Sequence, residues 1–201
     1  MSEAEERSAL EEHRLTAARL AKVEALRAAG VDPYPPVYEP NATSAGILEA
    51  HGDLADGEES GVEVVVAGRL VGMRHVGKLA FGVLQDGSGQ IQLFAIAGGL
   101  GERFDQFTDL DLGDLIGVRG EVLRTKRGEL SVRVDHFSLL AKALRPLPEK
   151  WHGLQDVEKR YRQRYLDLVV NPDSRRILVA RSRTIGALRE SFERRGFVEV
   201  E

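Results

Sequence analysis

The chain has 201 residues, 42% hydrophobic and 30% charged, with a formal charge of −4 and no cysteine. That balance fits a soluble globular protein of one large domain, or one domain with extensions. It excludes disulfides, thiolate metal sites and cysteine nucleophiles. No apolar run reaches the length of a membrane span, and the acidic start MSEAEERSALEEHR lacks the apolar core of a signal peptide.

The predicted elements begin with a helix over residues 5–29. Leu15, Leu20, Val23 and Leu26 recur at roughly helical spacing, no Gly or Pro interrupts, and Gly30 supplies a cap before a proline-rich stop. The expectation is an amphipathic helix that docks through this stripe. Residues 37–60 read as a connector with a short helix near 45–51. From Val62 the period switches to two, with Val64, Val66 and Leu70 on one face. A second strand starts at Leu79 and ends at the turn Asp86-Gly87-Ser88-Gly89. In the third, Ile91, Leu93 and Ala95 alternate with Gln90, Gln92 and Phe94. A short helix over 101–108 precedes a fourth strand over 115–123. After Lys126-Arg127-Gly128 comes a fifth, with Leu130, Val132 and Val134 inward and Glu129, Ser131 and Arg133 outward.

Five strands with a helix between the third and fourth give the order of a five-stranded OB-fold barrel. An SH3-like barrel is the main rival, but it places no helix there. Pro146 and Pro148 make 144–148 an extended connector, followed by alternating basic and aromatic residues over 160–165. A helix then runs over 171–195, with Ile177, Ile185, Leu188 and Phe192 as an apolar stripe, and 197–201 begin a strand. The fold class is mainly β with flanking helices. The domain expectation is a helical lead (1–36), a connector (37–60), the barrel (61–143), a hinge (144–170) and the start of a second domain (171–201).

Charge divides along the chain. Residues 1–60 hold 13 acids and 5 bases, residues 61–140 hold 10 and 9, and residues 141–201 hold 9 and 14. The near-neutral centre argues against a charge-driven single-strand binder, which combines a basic groove with several aromatics. Contacts in the centre rest on stacking and base-edge hydrogen bonds instead.

An OB barrel presents the face of its second and third strands to oligonucleotides. If Ala80 and Leu84 face the core, Phe81 faces out. If Ile91 and Leu93 face the core, Gln92 faces out as well. A ring beside an amide suits a splayed-out base, and such stacking is worth about 1–3 kcal/mol. Glu129 can accept hydrogen bonds from a base but repels phosphate. Arg69 and Arg74 can stack or pair with phosphate. A lone strand Phe is more often core than platform, so pattern alone supports only an OB-like domain suited to single-stranded nucleic acid. The scattered histidines (13, 51, 75, 136 and 152) form no metal-ligand pattern, and no carboxylate pair has catalytic spacing. No catalytic or metal-binding residue is assigned.

The strings GKLAFGVLQDGSGQIQLF, DLGDLIGVRGEVLRTKRGELSV and LLAKALRPLPEKWHGLQDVEKRYRQRYLDL carry a resemblance. With LRAAGVDPYP before them and RRGFVEVE after, they run collinearly with the bacterial lysyl-tRNA synthetase family. The RYLDL ending is shared with aspartyl and asparaginyl synthetases, while PLPEKWHGLQD is of the lysyl type. The resemblance implies that Phe81 stacks on the middle anticodon uridine, that Gln92 contacts the same base, and that Glu129 helps read the anticodon. Arg69 and Arg74 match the family's first-strand basic positions more loosely. Family members commonly have Ser where this chain has Ala80. The resemblance further implies a cytoplasmic, homodimeric parent that uses ATP and Mg²⁺ to join lysine to tRNA. By the same expectation, the chain stops within the first class II motif and binds no cofactor itself. A free-standing, non-catalytic RNA-binding module derived from a synthetase is the alternative.

Overall fold

The computed structural model describes residues 3–148, 154 and 156–200, with side chains from Leu10 onward. Trp151, His152 and Gly153 of the string PLPEKWHGLQD lie outside the described residues, as does Glu201. The chain forms two compact units, Met1–Pro146 and Leu147–Glu201.

The first unit is built on the strands β1 (Glu59–Val76), β2 (Leu79–Gln85), β3 (Gln90–Ile96), β4 (Leu115–Arg124) and β5 (Leu130–Ala141). They close into a barrel in the order β1-β2-β3-β5-β4, with β4 returning to β1. Only β3 and β5 pair in parallel. The length of β1 lets it serve two neighbours, β4 through its first half and β2 through its second. Gly68 sits at the changeover, where a Cβ would meet the Gln85 carbonyl oxygen at 2.6 Å. Gly120 lies at a register irregularity of β4 against β5, and its Cβ would collide with the Arg133 carbonyl.

Strand alternation fills the interior. Val66, Leu70, Leu84, Leu93, Ile116, Val118, Val122 and Val132 are all fully buried or nearly so. Each contributes about 1.5–3 kcal/mol by leaving water. Between β3 and β4 lie α3 (Ala97–Leu100) and α4 (Arg103–Thr108), where one helix over 101–108 was expected. Phe107 of α4 is fully buried and meets Phe137 edge-on at 5.2 Å. The helix α2 (Ser44–His51) is capped by Thr43, and the β2–β3 turn is fastened to it. Asp86 accepts from the amides of Ser44 (2.6 Å), Ser88 and Gly89, and from the Ser88 hydroxyl. Burial works against its charge, but these donors outweigh it and hold the carboxyl at about 2.

The N-terminal helix α1 (Glu3–Ala28) forms, but its leucine stripe does not dock as expected. Leu15 and Leu20 are exposed. The buried positions are Arg19 and Val23, with Leu26 half-buried. These three share a face at i, i+4 and i+7, and Leu20 falls beside it. Arg19 donates to the carbonyls of Leu112 (3.1 Å), Ala143 (3.1 Å) and Arg145 (2.8 Å). Those carbonyls need a long cationic donor rather than a leucine. Next to it Lys142 is buried on Asp114, at 2.8 and 2.9 Å, and on Asp111. Asp114 also accepts from the amides of Asp111 and Ala143. Burial opposes the Asp111 charge, but Lys142 and Lys22 hold its carboxyl below the ordinary range.

The second unit holds α5 (Val157–Arg162), α6 (Arg164–Val170) and α7 (Pro172–Glu193). The described residues 142–148 have no regular structure, whereas the basic–aromatic tract that follows is helical. Asp156 caps α5 by accepting from Lys159 N at 2.7 Å. Fully buried Asp167 organises the turn of α6: Arg160 (2.9 Å), Arg164 (2.6 Å) and Asn171 (2.5 Å) all donate to it. Burial resists the Asp167 charge, yet these hydrogen bonds keep its carboxyl low. Two arginines of the tract are thus held by the protein's own carboxylate, while Tyr161 and Tyr165 are exposed. Ile177, Ile185, Leu188 and Phe192 of α7 are exposed too. Residues 197–200 do not form the expected strand, since a strand needs a partner and none pairs with them among the described residues.

Candidate nucleic-acid interface

Cross-strand register assembles the site. Arg74 of β1 pairs with Phe81 of β2, and Phe81 pairs with Phe94 of β3. The three side chains form a row running across the strands on the outer face. The Phe81 and Phe94 rings stack at 5.2 Å with 20° between their planes. The Arg74 guanidinium lies 5.0 Å from the Phe81 centroid, close enough to be attracted to the ring face. Gln92 is two residues before Phe94 and so shares its face.

The row floors a groove of about 760 Å³, walled by the β4–β5 turn with Lys126, Arg127 and Glu129. The turn is held by its own backbone. Thr125 and Glu129 exchange hydrogen bonds, and Gly128 N donates to the Thr125 carbonyl at 2.9 Å. Arg124 donates to the carbonyls of Gly128 and Gly52, both at 2.5 Å. Lys126, Arg127 and Glu129 are exposed, and none forms an ion pair among the described residues. Among the described residues, the groove therefore offers two rings, one amide, the carboxylate Glu129 outside any ion pair, and the cations Arg74, Lys126 and Arg127 not paired to acids; Glu59 is paired to Arg133, and Arg124 is taken up by the Gly128 and Gly52 carbonyls. Rings stack on bases, an amide or carboxylate reads base edges, and cations meet phosphate.

Four of the five candidate residues, Phe81, Gln92, Glu129 and Arg74, line this groove. Arg69 does not. It pairs with Gln85, four residues along β2 from Phe81, roughly 13 Å away at strand rise. Its guanidinium donates to the Gly113 carbonyl at 2.7 Å, and burial pulls its pKa down against the pull of Asp114. Ser131 is corrected as well. Expected outside, it is fully buried, because β3 lies alongside β5 there and Gln92 donates to its hydroxyl at 2.8 Å. Glu129 lies in the turn just before β5.

Phe94 was missed as a candidate, although its alternation with Gln92 already set it on the same face. Among the described residues, no group of three or more His, Asp or Glu could hold a metal ion, and no helix is long and apolar enough to cross a membrane.

Residues 64–140 match the OB-fold nucleic acid binding domain, and residues 156–201 match the class II tRNA synthetases of the D, K and N type. The lysine–tRNA ligase of Magnetococcus marinus is 49% identical over 194 residues, 95% of this chain and 39% of the relative. That of a Synechococcus species is 50% identical over 184 residues, 91% of this chain and 37% of the relative. That of Moorella thermoacetica is 47% identical over 191 residues, 94% and 38% respectively. The chain thus spans less than half the length of these relatives. By these matches it belongs to the lysyl-tRNA synthetase family and corresponds to that family's N-terminal portion.

Proposed function

We propose that the β1–β2–β3 groove binds the anticodon loop of a lysine-accepting tRNA. The observation that carries this reading is the row Arg74–Phe81–Phe94, with Gln92 and Glu129 at its margin. Phe81 stacks on the middle base, Phe94 extends the platform, and Gln92 and Glu129 read base edges. Arg74 steadies the ring and meets the backbone. Arg69 has no part in this contact, since it is held at the Gly113 carbonyl.

The whole ligase would activate lysine with ATP and Mg²⁺ and transfer it to tRNA in the cytoplasm, as a homodimer. In this reading ATP and Mg²⁺ would be held by the part of the relatives that this chain does not span. The role of these 201 residues is selection of the tRNA.

The test is binding of two hairpin RNAs, one with UUU in the loop and one with UCU. Tighter binding of UUU is expected. Phe81→Ala should weaken UUU binding by about 1–3 kcal/mol. Equal affinity for the two loops would remove the anticodon reading. An unfolded Phe81→Ala chain would show the ring to be structural.

A further inference from the structure

We propose that Ser131 is a positioning residue that sets which way the Gln92 amide faces, and thereby decides which base the groove accepts. The inference rests on the anticodon-loop reading above. Ser131 is fully buried beneath β3. Its hydroxyl donates to the Glu129 carbonyl at 3.1 Å and accepts from Gln92 Nε2 at 2.8 Å. The Glu129 carbonyl is itself fixed, accepting from Thr125 N at 2.9 Å.

A serine hydroxyl has one proton. Here that proton is committed to the Glu129 carbonyl, so the oxygen can only accept. It therefore takes the Gln92 –NH₂ and repels Oε1. Turning the amide over would set two oxygens against each other, or break the bond to Glu129. With water excluded from Ser131, nothing replaces the lost partner. The second branch of the amide, Oε1, is left to the groove as an acceptor.

That polarity selects a base edge. Uracil presents N3–H, a donor, between two carbonyls. Cytosine presents a bare N3 lone pair at the same place. A pyrimidine lying on Phe81 with N3 opposite Gln92 Oε1 is accepted as uracil and refused as cytosine. Without the Ser131 hydroxyl the amide is free to turn, and its –NH₂ then suits cytosine N3. The hydroxyl never touches RNA. It acts through Gln92, and its signature is the U/C ratio rather than affinity as such.

The experiment titrates the whole chain with the UUU and UCU hairpins. A well-placed edge contact is worth roughly 5- to 150-fold in discrimination, which is the UUU preference expected of the unsubstituted chain. Ser131→Ala should bring the ratio close to one, chiefly through tighter UCU binding. Ser131→Thr, which keeps the hydroxyl, should retain it. In a Gln92→Ala background, adding Ser131→Ala should leave the ratio where it was, an independence that a merely structural role does not predict. Ser131→Cys, near serine in volume and a weak acceptor, is the second variant for the same reading. An unchanged ratio in Ser131→Ala or Ser131→Cys, with UUU still preferred by the parent, overturns the assignment and leaves the anticodon reading standing. No UUU preference in the parent overturns both.

Discussion

Two charged clusters sit on the same barrel and treat their charges in opposite ways. Beside α1, Lys142, Asp114 and Arg19 are buried and held by their own chain, Arg19 through its two terminal nitrogens while its Nε makes no hydrogen bond among the described residues. At the groove, Arg74, Lys126, Arg127 and Glu129 are exposed and form no ion pairs among the described residues. The residue types are alike, and only commitment separates them. A charge satisfied by its own chain holds structure together, whereas one left in water near a ring is free to meet a ligand.

The largest break in this contrast comes from Asp114→Ala, which strips buried Lys142 of its fully buried partner. Urea unfolding should show a loss of about 3–5 kcal/mol, while RNA affinity per folded molecule stays the same. A loss near zero would mean that the cluster is no more structural than the groove. Phe94→Ala works the other way. It should weaken UUU binding by about 1–3 kcal/mol, and its stability loss should be smaller than that of Asp114→Ala.

A third test takes Asp86, a carboxylate committed to the amides of Ser44, Ser88 and Gly89. Its folded pKa of about 2 lies below the unfolded value of about 3.9. The stability it gives is therefore full above the unfolded pKa and is lost as pH falls through the folded one. The gap in unfolding free energy between the parent and Asp86→Asn should be constant near neutrality and shrink from about pH 4 downward. The smallest effects belong to Lys126→Ala and Arg127→Ala. Stability should stay within about 0.5 kcal/mol, and the salt slope of RNA binding should drop by about one for each phosphate contact removed.

Much of this was legible in the chain. Val64, Val66, Leu84, Ile91, Leu93 and Val132 alternate strictly, and period two fixes both the strand and its face. The same parity put Phe81 and Gln92 outside. What escaped depends on tertiary neighbours. Nothing in the sequence says that the carbonyls of Leu112, Ala143 and Arg145 converge on Arg19. Ser131 has outward parity, and only the parallel pairing with β3 buries it. The helices α5 and α6 were hidden because a tract of Arg and Tyr has no apolar stripe. Their organiser, Asp167, works through hydrogen bonds rather than periodicity.

The parallel pairing of β3 and β5 spans Gln92 to Phe94 against Ser131 to Arg133, and it is also where the groove is built. Gln92 and Ser131 are 39 residues apart, so their contact forms only when the ring of strands shuts. Recognition is therefore a property of closure: an opened barrel has its rings but not its oriented amide. Linkage makes this reciprocal. RNA at a hundred times its Kd holds the seam shut by about 2.7 kcal/mol. On the proposed reading, bound RNA would act as a clasp, slowing amide exchange at Leu93 and Val132 without any change of shape.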